Sequence, residues 1–169
     1  MNDPHLQALR QALAQQQQGR LAEAENGLRQ VLTLAPRNAM AWQLLGLLLA
    51  QTGRLPEGLA ALRQSIEHNP QDAGAHNNLA KALMNAGDAQ GALRACEQAL
   101  ALDPVLASAY ATRALLLAQA GRAALAQADV ERALTIDPRQ PAAQALRRYL
   151  ATLPIASTAP AWQGVDDPV

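Results

Sequence analysis

Apolar and polar positions alternate along the chain with the period of an α-helix, about 100° per residue. One face of the segment 39–52 carries the packing residues Trp42, Leu45, Gly46 and Leu49. The opposite face carries Met40, Gln43, Leu44, Leu47, Ala50 and Gln51. A helix with two such faces is expected to pack on one side and to meet something else on the other.

Glycine and proline recur along the chain at one fixed interval. We call this interval, which is the spacing from Gly19 to Gly53, the repeat period. The glycines are Gly19, Gly53, Gly87 and Gly121, and the prolines are Pro36, Pro70, Pro104 and Pro138. Glycine can end a helix in the left-handed conformation, whereas proline cannot continue one. Each proline follows its glycine by half a period. Because about 34 residues is the length of two short helices with their turns, the pattern predicts four helix pairs.

The predicted helices form an all-α array over residues 4–152. Asn38 and Asp72 are expected as N-caps, and Pro56 and Pro141 as first-turn residues. The helix pairs are expected at 4–18 and 22–34, 39–52 and 56–68, 73–86 and 90–102, and 107–120 and 124–136, with a capping helix at 141–152. The corresponding repeats are 5–38, 39–72, 73–106 and 107–140. Residues 153–169 lack periodicity and are expected to be a disordered tail or linker, in which Trp162 is a candidate docking motif.

The second unit carries a family pattern. Its residues Trp42-x-x-Leu45-Gly46-x-x-Leu49, followed by Gly53, Gly58, Leu62 and Pro70, resemble the tetratricopeptide repeat, W-x-x-L-G-x-x-Y followed by A, F and P. The resemblance covers about four units and implies a right-handed α-solenoid of helix-turn-helix repeats that takes part in protein interactions. Gly58 and Leu62 are smaller than the usual Ala and aromatic residue, which indicates close helix approach.

Stacking of such units leaves the non-packing faces of the first helices along one concave groove. Asn77, Asn78 and Lys81 share one face there, and an amide can both donate to and accept from a peptide backbone. Similar asparagines in the family hold peptide main chain, so the resemblance implies that role for Asn78. Solvated side chains are the alternative. The candidate peptide- or partner-binding residues are Met40, Gln43, Leu44, Leu47, Asn77, Asn78, Lys81, Met84, Asn85, Ala111, Thr112 and Leu115.

The first unit does not follow this arithmetic. Without a gap, Leu6, Leu9 and Leu13 fall on the concave side. Either an insertion within 15–18 slips the helix, so that these leucines pack and Arg10 takes the close-contact position, or an exposed leucine stripe contacts a partner. That partner is another protein, a second copy in a homo-oligomer, or the tail.

Composition excludes several classes of function. Net charge is zero and the basic residues are scattered, so nucleic acid is not an expected partner. No apolar run approaches the roughly 20 residues of a membrane span. Cys96 is the only cysteine, which favours a reducing cytoplasm. The three histidines share no metal-ligand spacing, and His76 occupies a packing position. We therefore expect no cofactor, no metal and no catalytic residue.

The sequence predicts a non-enzymatic module that binds a peptide or protein in its concave groove. An apolar groove with only Lys81 as a basic residue argues against a clamp for a terminal carboxylate. Two alternatives remain open. One is a substrate-recruiting segment of a larger enzyme, such as a glycosyltransferase, sulfotransferase or hydroxylase, and the other is a self-assembling scaffold.

Overall fold

The computed structural model describes residues 4–152, which form nine α-helices over that range. Each helix begins and ends within one residue of its expected bounds. The helices are α1 (Pro4–Gln17), α2 (Leu21–Leu34), α3 (Ala39–Gln51), α4 (Leu55–His68), α5 (Ala73–Asn85), α6 (Ala89–Leu102), α7 (Ala107–Gln119), α8 (Ala123–Ile136) and α9 (Pro141–Thr152). The predictions for residues 153–169, including Trp162 as a docking motif, lie outside the described residues.

Local chemistry explains where the helices begin and end. The four repeat glycines have φ between +73° and +82°, the left-handed region that an L side chain rarely adopts. Asn38 and Asp72 accept hydrogen bonds from the backbone N–H groups of Ala41 and Ala75, each at 3.0 Å. Both predicted N-caps are therefore confirmed.

The helices stack as a solenoid with an inner and an outer layer. Each helix packs against the next one in the chain, and the first helices also contact one another in the order α1, α3, α5, α7 and α9. Within residues 4–152, no second helix approaches another second helix in this way. Because the first helices are crowded together and the second helices are spread apart, the first helices form the concave face.

The buried residues form three clusters along the stack. The first cluster spans α1 to α4 and includes Leu28 and Leu45, the next is centred on Ala80 and Cys96, and the last spans α7 to α9 around Val130 and Leu146. Each cluster is made by neighbouring helices, as expected for a repeat array. The solenoid therefore has no single central core among the described residues.

The pair α3 and α4 approaches most closely at two facing glycines. A Cβ atom built on Gly46 would lie 3.0 Å from the carbonyl oxygen of Gly58 and 3.0 Å from the backbone nitrogen of Leu62. A Cβ on Gly58 would lie 2.8 Å from the carbonyl oxygen of Gly46. The close approach indicated by these small residues is present.

The first helix keeps the ungapped register. Ala12, one repeat period before Gly46, is 2% exposed, whereas Arg10 is exposed. The slipped alternative is therefore wrong. Leu9 is buried in the first cluster, while Leu6 and Leu13 are 42% and 37% exposed. The leucine stripe is thus divided between packing and solvent.

No helix among residues 4–152 combines the length and the apolar character that crossing a membrane requires.

Candidate peptide-binding groove

The amino-terminal half of the concave face is apolar. Met40 on α3 is 53% exposed, and Leu6 and Leu13 on α1 are also exposed. Leu44 and Leu47 on α3 are half-buried beside them. Met40 and Leu47 lie one repeat period after Leu6 and Leu13. Helices α1 and α3 therefore have apolar residues at the same two repeat positions, and we call each set of equivalent positions along the groove a row.

The middle of the face differs from the sequence prediction at Asn77. Its side chain is only 2% exposed, and its Nδ2 donates a hydrogen bond to Ser108 Oγ on α7 at 3.1 Å. The expectation that Asn77 lines an open groove is wrong because α7 covers it. The Oδ1 atom of Asn77 has no hydrogen-bond partner within the described residues.

Polar side chains beside Asn77 do remain accessible. Asn78 and Met84 are half-buried on α5, and Lys81 and Asn85 are exposed. Within residues 4–152, no carboxylate forms an ion pair with Lys81. Gln43 on α3 is half-buried and lies between Met40 and Leu44 in the chain. The centre of the groove therefore offers an amide and a cation.

The carboxyl-terminal half contains an apolar groove between α7 and α9, with a volume of about 490 Å³. Its lining consists of Ala111, Leu115, Ala118, Gln119, Ala142, Ala145, Leu146 and Tyr149. Ala111 is 2% exposed and lies at the bottom of this groove. Thr112 is buried and donates a hydrogen bond to the carbonyl oxygen of Ser108. The expectation that its hydroxyl is open to a ligand is therefore wrong.

Two features of α7 and its neighbours were not anticipated from the sequence. The first is the part of the groove on α9, where Tyr149 is 56% exposed. Tyr149 stands one repeat period after Leu115, so extending the period into the capping helix would have found it. The capping helix therefore also completes the concave face.

The second is a partly buried ion pair between α7 and α8. Arg113 donates to both carboxylate oxygens of Asp129, at 2.7 and 2.8 Å, and this pairing raises the pKa of the Arg113 guanidinium. The guanidinium also lies 5.5 Å from the ring centroid of Tyr110. Earlier units have Leu79 and Ala95 at these two positions, so the period indicated an apolar contact. The ion pair lies between α7 and α8, where these two helices pack, and not in the groove.

The groups considered for catalysis occupy structural positions. The Nε2 atom of His76 lies 3.0 Å from the carbonyl oxygen of Pro70. Burial raises the pKa of the Cys96 thiol to about 12, so thiolate is scarce near neutral pH. No group of three potential metal-ligating side chains is present among residues 4–152.

Comparison with known families finds one family three times. Models of the tetratricopeptide repeat match residues 9–73, 61–94 and 79–159. No curated protein matches the chain at a significant level.

Several solved structures share the architecture. A crystal structure of the MamA protein has a TM-score of 0.70 and 21% sequence identity, over 89% of this chain and 88% of that one. The first tetratricopeptide domain of Spaghetti (RPAP3), bound to an HSP90 peptide, has a TM-score of 0.62 and 21% identity, over 67% and 90%. A mutant O-GlcNAc transferase of Thermobaculum terrenum has a TM-score of 0.67 and 25% identity, over 78% of this chain but only 27% of that one. These similarities show the fold.

Proposed function

Because the chain belongs to the tetratricopeptide repeat family, we propose that its concave face binds an extended segment of another polypeptide and that the protein acts as a non-enzymatic interaction module. The observation that carries this proposal is the run of accessible apolar side chains across successive first helices. Leu6 on α1 is 42% exposed and Tyr149 on α9 is 56% exposed, at opposite ends of the described face. Solvent-exposed apolar surface of this kind commonly marks an interaction site.

The chemistry of the face favours a peptide with apolar anchors. Leu47 and Leu115 can receive apolar side chains on either side of α5, while the amide of Asn78 can pair with peptide backbone. Lys81 supplies one positive charge, which is too little for a strongly acidic ligand. A related structure has an HSP90 peptide bound to its repeats, which supports binding of peptides by this fold.

The proposal is tested by selecting ligands for the full chain from a random peptide library and titrating them by calorimetry. We expect Leu47→Lys to weaken the selected peptides about tenfold or more, because a charge replaces apolar contact area. Lys81 already occupies the equivalent position of α5, so this substitution is compatible with the repeat. Asn78→Ala should also weaken binding.

The matched control is Leu125→Lys on α8, where the leucine is 53% exposed on the outer layer. This variant should bind the selected peptides as the wild type does. Equal affinity of Leu47→Lys and wild type, or failure to select any peptide, would contradict binding in the groove.

A second candidate is recruitment of substrates for a larger enzyme. The observation that favours it is the similarity to the O-GlcNAc transferase, of which this chain covers 27%. Sequencing the parent transcript beyond the codon of Val169 tests it, because a continuing reading frame that encodes a catalytic domain is required.

A further inference from the structure

We propose that residues 153–169 of the same chain fold back onto the concave face, with Trp162 in the groove between α7 and α9 and with Asp166 and Asp167 beside Lys81. The inference rests on the proposed function, since it describes how the same binding face is regulated. The segment would then compete with an external peptide.

The groove has the size and the chemistry for one bulky apolar side chain. Its volume of about 490 Å³ lies within the range of roughly 300–1,000 Å³ that is typical of ligand pockets. Leu115, Ala118 and Ala145 line it, and the exposed ring of Tyr149 stands at its edge. A tryptophan contributes a large contact area at low cost in side-chain entropy. Apart from Trp42, Trp162 is the only tryptophan in the sequence.

The connection to α9 places this segment within reach. Helix α9 ends at Thr152, one turn beyond Tyr149. Trp162 lies ten residues further along the chain, a distance of at most ~33–36 Å when fully extended. Adjacent helix axes lie ~8–10 Å apart, so the groove on α9 and α7 is well within that length.

Opposite charges on the segment and on α5 indicate that the segment runs from the groove toward α5. Residues 153–169 contain Asp166 and Asp167 and no basic residue. Lys81 is exposed on α5, in the same row as Leu115 and Tyr149 because each follows the one before it by one repeat period. Asp166 is four residues after Trp162, which spans up to ~13–14 Å and therefore reaches α5 from the groove.

Attachment to the same chain favours docking in cis. A short linker holds Trp162 near the groove at an effective concentration in the millimolar range. Even a weak contact therefore keeps the segment docked for most of the time. An external peptide then binds only when the segment is undocked. Its apparent association constant is therefore the intrinsic constant multiplied by the undocked fraction of the protein.

The test uses the full chain with Gly164→Cys carrying a nitroxide spin label. The native Cys96 is buried and its thiol pKa is about 12, so labelling at neutral pH is confined to the introduced thiol. We expect the amide signals of Leu115, Ala118 and Tyr149 to lose most of their intensity in the nuclear magnetic resonance spectrum. Signals of α2, such as Leu28, should be unchanged.

Variants of the labelled chain separate anchored docking from chance proximity. Trp162→Ala should restore the intensities of the groove signals, and Lys81→Glu should restore them in part. Leu115→Lys should act like Trp162→Ala, and it places in α7 the residue that α5 already has at this position. Leu125→Lys on the outer layer should leave the broadening intact.

Three results would overturn the proposal. One is the absence of broadening around the groove, and another is broadening that survives Trp162→Ala. The third is broadening that appears only between a spin-labelled chain and a separate isotope-labelled chain, which would assign the contact to two molecules.

Failure of this inference can be told apart from failure of the proposed function. Peptides selected against the full chain should bind Trp162→Ala more tightly than wild type if the segment competes for the groove. Equal binding of both chains, with sensitivity to Leu47→Lys retained, would reject the folded-back segment and leave the peptide-binding function standing.

Discussion

A hydrogen bond from a side chain to the carbonyl group of the repeat proline recurs at the start of the first helices. Trp42 Nε1 and Gln144 Nε2 each donate to the proline carbonyl oxygen six residues earlier, at 2.7 Å. His76 makes the same contact through Nε2 at 3.0 Å. Because a carbonyl oxygen can only accept, Nε2 of His76 carries the proton. In α3, α5 and α9 the bond ties the helix to the preceding turn, which gives this histidine a structural role.

The substitution His76→Gln should therefore preserve stability. Glutamine already makes this bond in α9, whereas His76→Ala removes the donor and should lower the free energy of unfolding by about 0.5–1.5 kcal/mol. Urea unfolding of the two variants measures the difference. If His76→Gln is destabilised as much as His76→Ala, the hydrogen bond is not what the position requires.

Helix pairs in this array differ in how closely they approach. In the pair α3 and α4, Gly46 and Gly58 bring backbone within reach of backbone. Other units have alanine at these positions, as at Ala80 and Ala92, and they accommodate a methyl group. The period is the same in every unit, but the separation of the two helices is set by the side chains between them.

Two glycine substitutions with the same chemistry should have opposite effects. Gly46→Ala places a methyl group 3.0 Å from backbone atoms of α4 and should destabilise the protein by about 1–3 kcal/mol through overpacking. Gly27→Ala in α2 meets its nearest atoms at 3.9 and 4.0 Å. It should stabilise by about 0.5–1 kcal/mol, because alanine favours the helix.

Thermal and urea unfolding of both variants measure these free energies. A loss of stability in Gly27→Ala equal to that in Gly46→Ala would show that the close crossing of α3 and α4 is not the cause.

At the scale of the whole molecule, stability is distributed between neighbours. The buried clusters of α1 to α4 and of α7 to α9 share no helix. In such an array, each unit is stabilised mainly by the units that it contacts. The ends of the stack have one neighbour fewer and are expected to open first.

Hydrogen exchange should therefore respond locally to a core truncation. Leu146→Ala removes a side chain that is 7% exposed in the last cluster, and exchange should accelerate in α7 to α9 while α1 to α4 keep their rates. Leu28→Ala should show the reverse pattern. Mass spectrometry of peptides from each region measures both. Equal acceleration throughout the chain in either variant would indicate one cooperative unit instead.

Only part of the concave face could be predicted from the sequence. Spacing predicts that Met40, Asn78, Lys81 and Leu115 share one side of their helices, because the rotation per residue is a local property of the helix. None of these four side chains is buried. It could not show that Asn77 lies beneath α7, bonded to Ser108. That outcome depends on how closely the next unit approaches, which the period does not contain.

The sequence alone determined the number, order and approximate ends of the helices in residues 4–152, because left-handed glycines, N-caps and prolines act within a few residues of each other. The register of α1 stayed open until the structure showed Ala12 buried and Arg10 exposed. The tertiary structure decided which concave side chains are covered and which remain open. It also produced the groove between α7 and α9 and the partly buried ion pair of Arg113 with Asp129. These features depend on distances between units, which are set by the volume and charge of side chains that meet only after the helices have packed.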